Sequence, residues 1–146
     1  MIAVDTNILV YAHRRDSEFH RTASRAVRML AESGGPWAIP WPCVHEFLSI
    51  VTNPRIWRKP TTLKQALDQV EAWIESPGLT LLAETGDHWP ALRETLSRTR
   101  TSGPKVHDAR VAAIATTHGV RELWTADRDF SRFPNLTVVN PAASAE

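Results

Sequence analysis

Apolar residues recur along the chain in two alternating patterns, short continuous runs and longer segments with helical spacing. The short runs predict buried strands at residues 1–4, 37–39, 79–83, 122–125 and 136–139. The segments with apolar residues three or four positions apart predict helices at residues 7–13, 18–33, 42–52, 88–100 and 107–118. One more helix, capped by Thr61 or Thr62, is predicted to run to residue 75.

The helix that ends at residue 75 carries apolar residues at positions that share one helical face. We expect this stripe to face the core. It comprises Leu63, Ala66, Leu67, Val70 and Ile74.

Strands alternate with single helices or helix pairs, an order typical of the α/β class. We therefore predict one domain, residues 1–141, with a mostly parallel central sheet of about four to five strands flanked by helices. The small residues at 142–146 predict a flexible C-terminal tail. In such sheets the ligand site lies beyond the carboxyl ends of the strands.

Composition narrows the class of protein. The 146 residues carry 17 Lys and Arg against 16 Asp and Glu, a net charge of +1, which argues against a strongly basic protein that wraps nucleic acid. With 42% hydrophobic and 23% charged residues, the chain has the make-up of a folded domain. The single cysteine, Cys43, excludes an intramolecular disulfide and a zinc site built from cysteines alone. No apolar run is long enough to span a membrane and no signal-peptide pattern opens the chain, so we expect a cytoplasmic protein.

Two acidic residues follow predicted strands. Asp5 comes directly after the first strand, and Asp127 comes shortly after the fourth. Both are expected at the carboxyl edge of the sheet, where ligands bind. The alternative for each is a structural one, a cap on the helix or turn that follows.

Two further acidic residues lie on predicted helices. Asp108 is in the first turn of its helix, with Ala112 and Ala115 on the same face, so we expect it to point into a closely packed groove. The alternative for Asp108 is a favourable interaction with the helix dipole. Glu46 lies at the margin of the apolar stripe of its helix, and its alternative is a place on the solvent face.

Brought together, these four carboxylates would repel one another unless a cation joined them. Oxygen-only ligands suit Mg²⁺ or Mn²⁺. Such an ion activates water and stabilises negative charge on a phosphoryl oxygen. The four residue types therefore suit the hydrolysis of phosphodiester bonds.

The four acidic residues sit in motifs that resemble those of the PIN-domain ribonucleases, and more closely those of the VapC toxins of bacterial toxin–antitoxin pairs. The motifs are Ile-Ala-Val-Asp-Thr-Asn at residues 2–7, Val-His-Glu-Phe at 44–47, Val-His-Asp-Ala at 106–109 and Thr-Ala-Asp-Arg-Asp-Phe at 125–130. Their order and spacing fit the family across residues 1–141. The resemblance implies a PIN fold, a Mg²⁺- or Mn²⁺-dependent endoribonuclease that acts on RNA, a cognate VapB-type antitoxin and a homodimer.

The resemblance also assigns roles, position by position. The principal metal ligands would be Asp5 and Asp108, and the catalytic acidic pocket would be completed by Glu46 and Asp127. The carboxylates would be oriented by hydrogen bonds from three neighbours, Thr6, Asn7 and Thr125.

Two residues beside these motifs leave alternatives open. Lys105 stands where a small polar residue is expected from the family pattern, and its ammonium would either contact phosphate or partly offset the charge of the pocket. Asp129 competes with Asp127 for the site. We prefer Asp127, because it is nearer the strand end, and expect Asp129 to cap the turn that follows.

Other residues have both a functional and a structural interpretation. His45 and His107 adjoin acidic residues, but neighbouring helical positions point about 100° apart, so we expect neither in the pocket. Tryptophans among basic residues would stack on RNA bases, pack in the core or form a dimer surface: Trp37, Trp41 and Trp57. Arginines of the first helices would bind RNA phosphates, face solvent or contact an antitoxin: Arg14, Arg15, Arg21, Arg25 and Arg28. The alternative to an enzyme is a non-catalytic RNA- or protein-binding module of the same fold.

Overall fold

The computed structural model describes residues 1–143, and in them strands and helices alternate as the sequence predicts. The strands are β1 (Ile2–Val4), β2 (Trp37–Pro40), β3 (Leu79–Leu82), β4 (Glu122–Trp124) and β5 (Thr137–Val139). The helices are α1 (Thr6–His13), α2 (His20–Glu32), α3 (Trp41–Val51), α4 (Leu63–Ile74), α5 (His88–Thr99) and α6 (Val106–Thr117). Short 3₁₀ turns occupy Gly103–Lys105, Arg128–Arg132 and Pro141–Ala143.

The strands form one parallel sheet in the order β3-β2-β1-β4-β5. The predicted α/β class, with a parallel sheet flanked by helices, is confirmed. Strand β1 lies at the centre, and its residue Val4 pairs with Trp124 of β4. The pairing continues one step further, because the backbone N–H of Asp5 donates to the carbonyl of Trp124. The first residues beyond β1 and β4 are therefore neighbours in space.

The core is built where the helices cover the sheet. Phe47 of α3 has no exposed surface, and its ring meets that of Trp73 of α4 edge-on at a centroid distance of 4.8 Å. Helix α6 packs closely because its buried face is small, and Ala112 and Ala115 are buried as their spacing predicts. The motif residue Asp108 precedes these alanines on the same helix, so the close packing of α6 fixes its position.

The predicted stripe of α4 is wrong in part. Ala66 and Val70 are buried as expected, and Trp73 is buried with them. By contrast Leu63 and Leu67 are 65% and 46% exposed, and Ile74 of the same predicted stripe is 42% exposed. Two apolar stripes overlap on this helix, and α4 turns the one with the large tryptophan ring toward Phe47.

Caps and turns at the helix ends follow ordinary local rules. Thr62 begins α4 with a capping box, in which its hydroxyl accepts from the backbone N–H of Gln65 and the Gln65 side chain accepts in return. Gly119 follows α6 with φ of +76°, the left-handed conformation in which a glycine commonly ends a helix. Asp5 occupies the capping position of α1, yet its side chain makes no capping hydrogen bond, which leaves the carboxylate free for other partners.

The C-terminal boundary lies beyond the expected residue 141. The turn Pro141–Ala143 packs against α2, and Ala142 is only 2% exposed. The predicted tail at 142–146 therefore starts within packed structure, and its residues 144–146 lie outside the described residues. Within the described chain, none of the helices is long and apolar enough to cross a membrane.

Candidate active site

The four acidic residues of the motifs line one cavity at the carboxyl edge of the sheet. The cavity has a volume of about 370 Å³, and its lining includes Asp5, Glu46, Asp108 and Asp127. Asp5 follows β1, Glu46 comes from α3, Asp108 from the first turn of α6, and Asp127 from the segment after β4. The central position of β1 between β2 and β4 explains why segments so distant in sequence meet here.

Asp5 is the buried carboxylate of the cavity. It is 7% exposed, and its oxygens accept hydrogen bonds from the Thr125 hydroxyl at 2.8 Å and, more weakly, from the Asn7 amide at 3.4 Å and the Cys43 thiol at 3.5 Å. The pKa of Asp5 is raised to about 6, with burial as the largest cause and the nearby charge of Glu46 as a smaller one, against the lowering effect of the hydrogen bonds. All these donors are neutral groups, so the negative charge of Asp5 is only partly compensated.

Asn7 and Thr125 connect the ends of β1 and β4. The Asn7 amide nitrogen donates to the Thr125 hydroxyl oxygen at 3.1 Å, and its amide oxygen accepts from the Ala126 backbone N–H at 2.9 Å. The same Thr125 oxygen also accepts from the backbone N–H of Asp127 at 3.0 Å. Thr6, also predicted for this group, lines the cavity, and its backbone N–H bonds to Asp5 and lowers the pKa of that carboxyl. One hydroxyl thus positions both Asp5 and the backbone of Asp127.

Asp108 and Glu46 differ in their surroundings. The Asp108 side chain is 26% exposed, and burial raises its pKa, with the charge of Asp127 adding to the effect and Lys105 opposing it. Glu46 lies on the exposed side of α3, as the solvent-face alternative predicted, and it still lines the cavity. The carboxylates therefore act on each other in two pairs, Asp5 with Glu46 and Asp108 with Asp127.

Asp127 occupies both of the positions considered for it, at the cavity and at the start of the following turn. Its carboxylate lines the cavity and also caps the 3₁₀ turn Arg128–Arg132, since one oxygen accepts from the Asp129 backbone N–H at 2.9 Å. The prediction that Asp129 caps this turn is wrong. The Asp129 carboxylate reaches back instead to the ammonium of Lys105 at 2.5 Å.

Lys105 lies against the acidic cavity from one side. Its ammonium is 3.5 Å from Asp108 and 3.7 Å from Asp127, in addition to the contact with Asp129. These contacts agree with the expectation that the lysine offsets part of the local negative charge.

Four polar residues at the cavity were not predicted to be there. His45 and His107 line it, contrary to the expectation that neither shares a pocket with its acidic neighbour. Ser49 and Arg110 also contribute to the lining, and Arg110 pairs with Glu84 at 3.1 Å. A cavity this wide is lined by more than one face of α3 and α6, so the angle between adjacent helical residues did not exclude the histidines.

Three of the tryptophans and arginines considered for RNA binding are structural, whereas Arg15, Arg21, Arg25 and Arg28 are exposed. Trp37 is fully buried, which excludes base stacking for that ring. Trp57 donates to the backbone carbonyl of Ile50 and lies under the Arg14 guanidinium, 4.1 Å from the ring centroid. Arg14 is itself buried and paired with Asp16 at 2.6 Å. Trp41, by contrast, is 38% exposed.

The donor set of the cavity suits a hard divalent cation, because it consists of carboxylates and includes one that is buried and undercompensated. As they stand, however, no three His, Cys, Asp or Glu side chains within residues 1–143 are grouped so that they hold a metal ion.

The chain is similar to a known family and to known proteins. A family model described as PIN domain matches residues 2–136. Ribonuclease VapC43 of Mycobacterium tuberculosis is 34% identical over 141 residues, covering 97% of this chain and 95% of that protein. Ribonuclease VapC48 of the same species is 28% identical over 137 residues, covering 94% of both. The chain belongs to the PIN-domain family, and within that family it groups with the VapC ribonucleases.

Solved structures share the same fold at low sequence identity. VapBC2 from Rickettsia felis, in a crystal structure bound to a DNA fragment from its promoter, gives a TM-score of 0.69 at 21% identity, covering 96% of this chain and 98% of that chain. VapC20 of M. tuberculosis, described as a toxin that cleaves the sarcin-ricin loop, gives a TM-score of 0.66 at 19% identity. The match covers 90% of this chain and 93% of that chain.

Proposed function

We propose that this protein is a divalent-metal-dependent endoribonuclease, the VapC-type toxin of a toxin–antitoxin pair. The observation that carries the proposal is the convergence of Asp5, Glu46, Asp108 and Asp127 on one cavity, with Asp5 buried and lacking a cationic partner among residues 1–143. The VapC ribonuclease relatives support RNA as the substrate class. Solved VapBC and toxin–antitoxin complexes of the same fold support a VapB-type antitoxin as the partner.

Asp5 and Asp108 would hold the ion, Mg²⁺ or Mn²⁺, and Glu46 and Asp127 would complete the acidic pocket. The chemistry that a bound divalent ion supplies is activation of water and stabilisation of the negative charge that develops on the phosphodiester. The chain's own contribution is to keep the carboxylates in place, and Thr125 does this through its hydrogen bond to Asp5. The homodimer implied by the family resemblance remains a prediction.

The experiment is cleavage of total cellular RNA by purified protein free of antitoxin. Wild type is compared with Asp5→Asn, in Mg²⁺ or Mn²⁺ and in EDTA. The matched control is Asp68→Asn, the same substitution on the exposed surface of α4, where Asp68 pairs with Lys64. We expect discrete fragments from wild type and from the control, and none from Asp5→Asn or in EDTA.

The competing function, a non-catalytic binding module, predicts a different result. Folded wild type would then leave RNA intact with either metal, and Asp5→Asn would bind RNA and antitoxin as wild type does. Fragments that persist in EDTA would contradict metal dependence while leaving the ribonuclease assignment in place.

A further inference from the structure

The ammonium of Lys105 occupies a position on the acidic cavity where a cation is expected. It lies one helical turn before Asp108, at the end of the 3₁₀ turn Gly103–Lys105 that leads into α6. It contacts Asp108, Asp127 and Asp129 together, at 3.5, 3.7 and 2.5 Å. A single positive charge therefore serves three carboxylates, two of which line the cavity.

The negative charge of the carboxylates is compensated differently on the two sides of the cavity. On one side, Asp5 is held by neutral donors from Thr125, Asn7 and Cys43. On the other side, Lys105 supplies a positive charge directly to Asp108 and Asp127. A divalent ion that engages Asp108 meets this ammonium as a like charge at short range, and the two repel each other.

We propose that Lys105 is a tethered counter-ion that competes with the divalent cation for Asp108 and Asp127, and so sets the metal affinity of the site. This inference rests on the proposed function, because it assumes that Asp108 takes part in holding the ion. Lys105 acts in it as a positioning residue and contacts no reacting atom.

Asp129 is a partner that the Lys105 ammonium can keep when it leaves Asp108 and Asp127. Its carboxylate is the nearest partner of the ammonium, and it lies beside the cavity without being part of the lining. A lysine side chain is a compact charge on a flexible four-carbon stem, so it can leave Asp108 and Asp127 while keeping its contact with Asp129. The Lys105 side chain is 42% exposed, so this movement requires no repacking of the core.

The main alternative for the lysine is contact with the phosphate of bound RNA. The two interpretations predict opposite effects on metal binding. A counter-ion weakens metal binding in the absence of RNA, and its removal tightens that binding. A phosphate contact leaves metal binding without RNA unchanged, and its removal weakens RNA binding.

The test is titration of RNA-free protein with Mn²⁺ by isothermal calorimetry. Lys105→Met removes the charge and keeps much of the stem, and Lys105→Arg keeps the charge. The matched control is Lys64→Met, since Lys64 is an exposed lysine that also forms an ion pair on a helix, at 2.7 Å from Asp68. We expect the Mn²⁺ Kd of Lys105→Met to fall about tenfold, while Lys105→Arg and Lys64→Met keep the wild-type Kd. The difference shrinks at high sodium chloride, because both the ammonium and the ion are partly screened there.

An unchanged or weaker Mn²⁺ Kd in Lys105→Met overturns the proposal. If wild type still cleaves RNA with Mn²⁺ in that case, the proposed function stands and only the inference about the lysine fails. If neither protein binds Mn²⁺ and wild type leaves RNA intact, both fail together. Because Lys105 is half-exposed, thermal unfolding of Lys105→Met serves as a direct check that the variant is folded.

Discussion

The burial of Asp5 implies that the protein gives up stability for its site, and Asp5→Asn tests this directly. In the native protein burial raises the pKa of Asp5 from 3.8 to about 6, so the folded state binds this proton more tightly than the unfolded chain does. The resulting contribution to stability is present below the unfolded pKa and is lost as the pH rises through the folded pKa. A pKa that is about two higher in the folded protein than in the unfolded chain corresponds to about 3 kcal/mol of unfolding free energy.

The measurement is urea unfolding in EDTA, followed by the fluorescence of the buried tryptophans, at about pH 4 and about pH 8. The informative quantity is the difference in unfolding free energy between Asp5→Asn and wild type, compared at the two pH values. Effects of the asparagine that do not depend on pH cancel in this comparison. We expect the unfolding free energy of the variant, relative to that of wild type, to rise by about 3 kcal/mol from the acidic to the alkaline condition. Its RNA cleavage is expected to be lost.

Asp16→Asn provides a control in which the pKa shift has the opposite sign. Hydrogen bonds from Arg14 lower the pKa of Asp16, so the stability from its charged form is present above the unfolded pKa and is lost only as the pH falls through the lower folded pKa. Between about pH 4 and about pH 8 we therefore expect the difference in unfolding free energy between Asp16→Asn and wild type to change little. If the difference in unfolding free energy between Asp5→Asn and wild type is the same at both pH values, Asp5 is not a buried carboxylate whose negative charge is only partly compensated, and the reasoning is refuted.

Three more substitutions test the packing around the site and the sheet. Thr125→Val removes the hydroxyl shared by the buried carboxylate and two donors, so we expect a loss of about 1–3 kcal/mol in urea unfolding and reduced RNA cleavage. Gly78→Ala places a Cβ 1.9 Å from the Gly35 carbonyl oxygen, which predicts a clearly lower Tm by calorimetry, whereas Gly86→Ala, with nothing within 4 Å, leaves the Tm nearly unchanged. Phe47→Ala empties a fully buried position and is expected to cost about 3–5 kcal/mol in urea unfolding, and a cost below about 1 kcal/mol would contradict the packing described.

The order and type of the elements could be predicted because local signals agree with the fold. Proline and glycine separate most segments, and at Thr62 the predicted cap is formed by the expected chemistry, while Gly119 ends α6 in the left-handed conformation. The orientation of α4 could not be predicted in the same way. Two overlapping apolar stripes satisfy helical periodicity equally well, and only contact with Phe47 selects the one that contains Trp73.

In the candidate site, too, some features could be predicted from the sequence and others could not. The convergence of Asp5 and Asp127 follows from a simple rule, since both come after neighbouring parallel strands. Which of Asp127 and Asp129 caps the turn did not follow, because two carboxylates two positions apart offer the same chemistry to one turn. What separates them is Lys105, which draws the Asp129 side chain away from the turn, and such a contact between distant segments leaves no periodic signal in the sequence.

The pairing of β1 with β4 has a consequence for the synthesis of this protein. The hydrogen bond between Thr125 and Asp5 joins residues 120 positions apart, so the ribosome must translate through Thr125 before the two ends of the site can meet. A nascent polypeptide that stops before β4 contains Asp5 and Glu46 but lacks the threonine hydroxyl and Asp127. Translation products terminated before this point therefore carry no assembled site, and the capacity to cut RNA arises only in chains translated beyond β4.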